Sequence, residues 1–130
     1  MEETDFANGY CNFIKREVLE KIGLLDKKYF LYYEDADYCQ RARMAGHIIV
    51  YAPKAVVWHK NAASSDKPGS QIHVYYQTRN RLIFGFRYAS LRAKLALFRE
   101  SLKFLISNGI KRKAVLDFYL GKFGQSLLSK

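Results

Sequence analysis

Cysteine is scarce: Cys11 and Cys39 are the two in 130 residues. Being few and widely separated, they argue for reduced thiols in a cytosolic protein rather than a disulfide. No uninterrupted apolar run approaches the ~18 residues that suggest a membrane span. The opening segment, MEETDFANGY, is acidic and lacks the basic and apolar regions of a secretory leader. Internal repeats and low-complexity runs are absent. Acidic residues become rare after Thr78, where Glu100 and Asp117 face twelve Lys and Arg, whereas residues 1–78 carry ten charges of each sign. The whole net charge of +10 therefore lies in the last 52 residues. Such a segment reads either as a solvated basic helical face or as a surface that meets an anionic partner, membrane lipid or nucleic acid.

What is present is a chain long enough for one domain with a modest core. Apolar residues make up 49% and aromatics 15%, a composition unlike that of a disordered chain. GYCNFIK (9–15) has the aromatic and β-forming residues of a short strand. REVLEKIG follows as a short helix, with Val18, Leu19 and Ile22 on one face and Gly23 as its stop. LLDKKYFLYY holds too many aromatics to lie free in solvent. EDADYCQRARMAG is the clearest helix of the first half. Its carboxylates Glu34, Asp35 and Asp37 lie in the first turn, Arg41 and Arg43 toward the end, and Gly46 beyond, in keeping with the helix dipole. Asp37 and Arg41, four apart, are placed to pair on its surface. HIIVYAP and AVVWH read as two short β segments around Pro53 and Lys54, and KNAASSDKPGSQ as a loop. From about Val74 the pattern turns helical. One segment carries an amphipathic face of Leu91, Leu95, Phe98, Leu102 and Leu105, and SNG (107–109) ends it. A third runs from about Lys111 to Leu120. The β segments are too few for a complete sheet with two covered faces, so the first half reads as part of an α/β domain.

Two adjacent carboxylates, Glu34 and Asp35, follow an aromatic run, Tyr29 to Tyr33. In a first helical turn a carboxylate ordinarily caps the helix or meets its dipole. Aromatic neighbours raise a carboxylate pKa and the helix N-terminus lowers it, so a group held between the two is suited to take a proton from a hydroxyl. His59 stands at the end of a β segment, where α/β folds place ligand-binding groups, although a lone His is more often structural. Cys11, Cys39, His47, His59 and His73 lack the close pair spacing of a zinc site.

The ordered series GYCNFIKREVLEKIG, GLLDKKYFLYYEDADYCQRARMAG and AVVWH, with YYQTRNRLIF after it, resembles the C-terminal half of the catalytic domain of family 2 glycosyltransferases. These are inverting enzymes of the GT-A (nucleotide-diphospho-sugar transferase) fold, rhamnosyltransferase-like members included. The resemblance covers roughly residues 8–125. It implies an α/β fold class, with residues 1–73 as the acceptor-side half of a partial GT-A domain and 74–130 as a basic extension of C-terminal amphipathic helices. It further implies Asp35 as catalytic base, Glu34, Tyr32 and Tyr33 on the acceptor, and His59 as ligand of a divalent metal, Mg²⁺ or Mn²⁺. The implied partners are a nucleotide-sugar donor and a glycan or lipid-linked acceptor in polysaccharide or glycolipid synthesis. The implied location is cytoplasmic, peripheral at the inner face of the plasma membrane.

The family's N-terminal half, with its nucleotide-binding strands and Asp-x-Asp metal motif, has no counterpart before Glu34. The chain therefore reads as a fragment, expected to be inactive alone. Asp35-Ala36-Asp37 sits in the acceptor-side motif and is not read as the metal site. A competing reading is a non-enzymatic basic helical module that binds an anionic membrane or a protein partner. RNRLIFGFRY interleaves aromatics with cations as single-strand binders do, but no glycine-rich or RNP-like motif accompanies it, so nucleic acid is not expected. A third reading is self-association into a homo-oligomer through apolar surface left uncovered.

Overall fold

The computed structural model describes residues 1–58 and 68–126. The element order is β1 (Glu2–Thr4), α1 (Arg16–Ile22), α2 (Glu34–Met44), β2 (Ile49–Tyr51), α3 (Gln71–Tyr88), α4 (Leu91–Ile106) and α5 (Ile110–Tyr119). The chain divides into two compact units. One takes residues 1–26 and 34–58; the other takes 27–33 and 68–126. Residues 27–33 thus pack with the C-terminal helices, although they lie between two elements of the first unit.

In the first unit β1 and β2 form a two-stranded antiparallel sheet, with Glu2 opposite Tyr51 and Thr4 opposite Ile49. The strand expected over 9–15 does not form. Its Tyr10 and Phe13 are exposed, and β-forming side chains make a strand only where a paired edge accepts the backbone. AVVW is likewise not a strand, and the following His59 lies outside the described residues. Helix α1 half-buries the anticipated Val18, Leu19 and Ile22 and exposes its remaining side chains. It ends at Gly23, whose φ of 76° few other residues tolerate and whose N–H returns to the Leu19 carbonyl.

Arg41 joins α2 to the end of α1. Its guanidinium donates to the carbonyls of Ile22 (2.6 Å) and Leu24 (2.9 Å), placing a cation where the helix dipole is negative. Asp37 accepts from Arg41 Nε at 2.8 Å. That pair, expected on the surface, has a fully buried carboxylate. Cys39 is buried, and its Sγ accepts the Ala7 N–H at 3.4 Å, tying the N-terminal segment to α2.

The second unit is three helices and the 27–33 segment. Ser70 caps α3 by accepting the His73 N–H (3.2 Å), and Ser90 caps α4 by accepting that of Ala93 (3.4 Å). Helix α3 begins three residues before Val74, because the serine cap sets its start rather than the apolar pattern. Helix α3 lies along α5, and α4 packs on both. At Gly85 of α3 the Leu97 side chain of α4 comes so close that no Cβ fits without moving it. Tyr75, Tyr76 and Ala114 form the core, with Leu31, Tyr32, Ile72 and Ile110 packed on it.

Buried Asp117 of α5 accepts from the Tyr75 hydroxyl and from Lys113 Nζ, each at 2.7 Å. Burial alone would push its carboxyl up, but the bonds from Lys113 and Tyr75 outweigh burial and hold it below the ordinary value of 3.8. A lowered native pKa contributes stability above the unfolded value that is lost as the pH falls through the native one. Asp117→Asn should therefore lower the unfolding free energy at neutral pH by about 2 kcal/mol. The gap from the parent should narrow as denaturant titrations are carried below pH 3.8.

Candidate active site

The sequence directs attention to the junction of an aromatic run with two carboxylates. Tyr29 is fully buried, Leu31, Tyr32 and Tyr33 are half-buried, and Phe30 is exposed. Phe30, Tyr32 and Tyr33 adopt φ of 63°, 66° and 71°, and they are the sole non-glycine residues with positive φ among those described. In this region an L-residue brings its Cβ against the following carbonyl oxygen, so three in four residues constitute a strained path. The rings are seated on α3. Phe30 lies 5.4 Å from Tyr76, Tyr32 meets His73 edge-on at 5.2 Å, and Tyr33 lies 5.7 Å from Phe84. Burial pushes the Tyr33 hydroxyl up, against the opposing pull of Arg81, so it is a proton-bearing donor at neutral pH.

Two α3 side chains hold this path. Arg79 and Asn80 are buried, and together they donate to the carbonyls of Lys28, Tyr29, Leu31 and Tyr32. Arg79 also donates to the Gly124 carbonyl at 2.9 Å, and its guanidinium lies over the rings of Tyr75 (5.3 Å) and Tyr76 (4.9 Å). The cations of RNRLIFGFRY are thus largely engaged within the unit: Arg81 pairs with Glu100 at 2.7 Å, and Arg87 lies over Tyr88. Sequence reading missed Arg79 and Asn80. The available signal was an Arg-Asn pair inside an otherwise apolar and aromatic helical pattern, where buried polar groups must find partners.

The carboxylates themselves open α2, in the first unit. Asp35 Oδ2 accepts the Gly9 N–H at 3.0 Å, and Oδ1 accepts the Ala36 N–H at 2.8 Å. Asp35 is therefore held at both oxygens by backbone donors. Glu34 differs: its Oε2 is buried and has no hydrogen-bond partner among the described residues. Burial raises its carboxyl above 4.5; the Glu34 backbone bond opposes this and the neighbouring Asp35 charge adds to it. Burial likewise raises the Cys39 thiol, which keeps it protonated and out of nucleophilic chemistry.

Of the expected site residues, Glu34 and Asp35 stand together in the first unit and Tyr32 and Tyr33 in the second, the chain passing between them at the Tyr33–Glu34 peptide bond. His59 lies outside the described residues. Among the described residues no group of three or more His, Cys, Asp or Glu is assembled to hold a metal. The carboxylate pair offers one unpartnered buried oxygen, on Glu34, fewer donors than a hard cation takes. The described residues by themselves therefore do not fit a metal site.

The sequence model for glycosyltransferase like family 2 matches residues 1–85, and the chain belongs to that family. Membership implies the nucleotide-diphospho-sugar transferase fold. The chain is 31% identical over 83 residues to the low-salt glycan biosynthesis hexosyltransferase of Haloferax volcanii, covering 64% of this chain and 27% of that one. It is 33% identical over 74 residues to the N-acetylglucosaminyl-diphospho-decaprenol L-rhamnosyltransferase of Mycobacterium tuberculosis, covering 56% and 24%. A galactofuranosyltransferase of the same species is 30% identical over 131 aligned positions, 92% of this chain and 20% of the relative. The chain spans about a quarter of the length of these curated relatives. No solved structure matches it.

A raised native pKa makes Glu34 favour folding below the unfolded value, and that contribution is lost as the pH rises through the native one. Glu34→Gln should therefore raise the melting temperature relative to the parent at pH 7. The difference should close below pH 4.5, checked by thermal melts across that range.

Proposed function

We propose that this chain is the acceptor-side part of an inverting, GT-A-fold glycosyltransferase that moves a sugar from a nucleotide-sugar donor to an acceptor hydroxyl in polysaccharide or glycolipid synthesis. The observation that carries the reading is the Glu34–Asp35 pair at the start of α2, in a chain of the glycosyltransferase like family 2, with Asp35 tied to the Gly9 N–H. Three relatives named as hexosyl-, rhamnosyl- and galactofuranosyltransferases support sugar transfer, and the rhamnosyltransferase's name supports a lipid-linked acceptor.

Asp35 acts as general base. Backbone donors fix its oxygens, and it takes the proton as the acceptor oxygen attacks the anomeric carbon opposite the nucleotide diphosphate, so that the centre inverts. The unpartnered oxygen of Glu34 accepts a hydrogen bond from the acceptor, and the Tyr32 and Tyr33 rings line its path. In the whole enzyme His59 would be one ligand of a divalent metal, Mg²⁺ or Mn²⁺, which would supply positive charge to the diphosphate. Donor binding is assigned to a part of the enzyme beyond this chain. In that longer enzyme Asp35→Asn should cut turnover about 10²–10⁴-fold. Asn keeps one of the two oxygen acceptors, so one backbone bond is lost and stability should fall by about 1 kcal/mol. Near-normal turnover by Asp35→Asn, with loss in Glu34→Gln, would reverse the two roles.

The location assigned to this enzyme is the cytoplasmic face of an anionic membrane, and α4 supports it. Leu91, Leu95, Phe98, Leu102 and Ile106 form an exposed apolar ridge, with Leu91 74% and Ile106 87% accessible. Arg92, Arg99 and Lys103 run along one flank of that ridge and are exposed. Each cation near an anionic leaflet contributes about 1 kcal/mol, and the attraction fades over about 8 Å at physiological ionic strength. The chain should sediment with phosphatidylglycerol vesicles at low salt, be released at high salt and ignore neutral vesicles. Replacing all three cations by Glu should abolish sedimentation; an unaffected triple variant would remove this face from the membrane contact.

A further inference from the structure

We propose that Arg79 and Asn80 are positioning residues: they hold the aromatic turn at residues 30–33 in its left-handed course and so place the Tyr32 and Tyr33 rings. The proposal deepens the reading of Tyr32 and Tyr33 as lining the acceptor's path and rests on it.

The turn has no glycine to take up positive φ, yet Phe30, Tyr32 and Tyr33 all adopt it. Such a conformation persists in aromatic residues only where the surroundings over-determine it. Here they do. The Asn80 amide donates to three carbonyls, those of Tyr29 (2.9 Å), Leu31 (2.7 Å) and Tyr32 (2.9 Å). Arg79 donates to Lys28 and Tyr29, each at 3.1 Å, and its Nε donates to Asn80 Oδ1 at 3.1 Å, which orients the amide. The Leu31 N–H closes the turn on the Tyr29 carbonyl at 2.8 Å. Four peptide planes in the five residues 28–32 are thus fixed from one helix, immediately before the carboxylate pair in the chain.

A core knot would need neither this sequence position nor this strain. Arg79 and Asn80 are 1% and 0% accessible, so they cannot touch substrate. What they control is the course of the chain up to the Tyr32 carbonyl, and with it the seats of the Tyr32 ring on His73 and of the Tyr33 ring on Phe84. A substrate-positioning group misplaced by about 1 Å costs on the order of 10²-fold in rate.

The test uses Asn80→Asp, which keeps the shape and the acceptor for Arg79 Nε and removes the donors, and Arg79→Lys, which breaks the fork. In the longer enzyme both should lower kcat about 10–100-fold per folded molecule while the donor KM stays within about twofold. In the present chain, hydrogen exchange should quicken about tenfold or more at the amides of residues 31–34 while α5 keeps its protection. Adding Phe30→Gly, which accepts positive φ without strain, should return part of the lost kcat and slow the loop exchange. A lost core contact alone would not be repaired by deleting a ring. If Asn80→Asp fails to fold, Arg79→Lys carries the same two readouts. Unchanged exchange at residues 31–34, or unchanged kcat per folded molecule, overturns the proposal. A Tyr32→Ala, Tyr33→Ala control that retains full turnover overturns instead the reading of these rings as lining the acceptor's path, and the exchange arm then decides whether the clamp exists.

Discussion

A buried guanidinium and a buried amide, neighbours on α3, hold the backbone carbonyls of a loop that cannot hold itself. A charged Arg79 at 1% exposure is costly unless its donors are met, and here carbonyls, a side-chain oxygen and two aromatic faces meet them. The arrangement satisfies both sides: carbonyls in a tight aromatic turn need donors, and the buried cation needs acceptors. From it follow the burial of Tyr29, the seating of Tyr32 and Tyr33 on α3 and the stapling of residues 122–124 to the same cluster. It also explains why residues 27–33 belong with the C-terminal helices rather than with their chain neighbours.

The charge asymmetry acquires a structural division of labour. Buried Arg79 serves packing, and exposed Lys113 holds the carboxylate of Asp117. The exposed members on α4 flank an apolar ridge. A count of net charge conflates the two. The +10 balance overstates what a partner surface meets, because some of these cations already face carbonyls, rings or carboxylates.

Much of this was legible in the sequence where local signals agree. Helix α2 has acidic residues first, basic residues last and a glycine beyond, and it forms as read. Helices α4 and α5 likewise fall where their apolar spacing and the SNG break place them. What failed depends on partners that no local pattern names. GYCNFIK has strand-forming residues but no edge to pair with, whereas the acidic Glu2–Thr4 pairs with β2. The Asp37–Arg41 pair is spaced as a surface pair, yet it is drawn inward by the α1 carbonyls that Arg41 caps. At the site the aromatic run was legible as packed and the carboxylates as a helix start. The contrast between an Asp35 bonded at both oxygens and a Glu34 with one buried oxygen unmet was not, because it depends on Gly9, 26 residues away in the chain. Arg79 and Asn80 escape notice in RNRLIFGFRY, where aromatics interleave with cations, because composition does not distinguish a buried guanidinium from an exposed one.

Asn80 holds the turn by its side-chain amide. The direct measurement is solvent exchange of the two Asn80 Nδ2 hydrogens by NMR in the intact chain. Both are bonded to backbone carbonyls at 2.7–2.9 Å in a fully buried position, so they should exchange on the timescale of the protected α3 backbone amides. Exchange as fast as that of an exposed amide such as Asn108 would contradict the account.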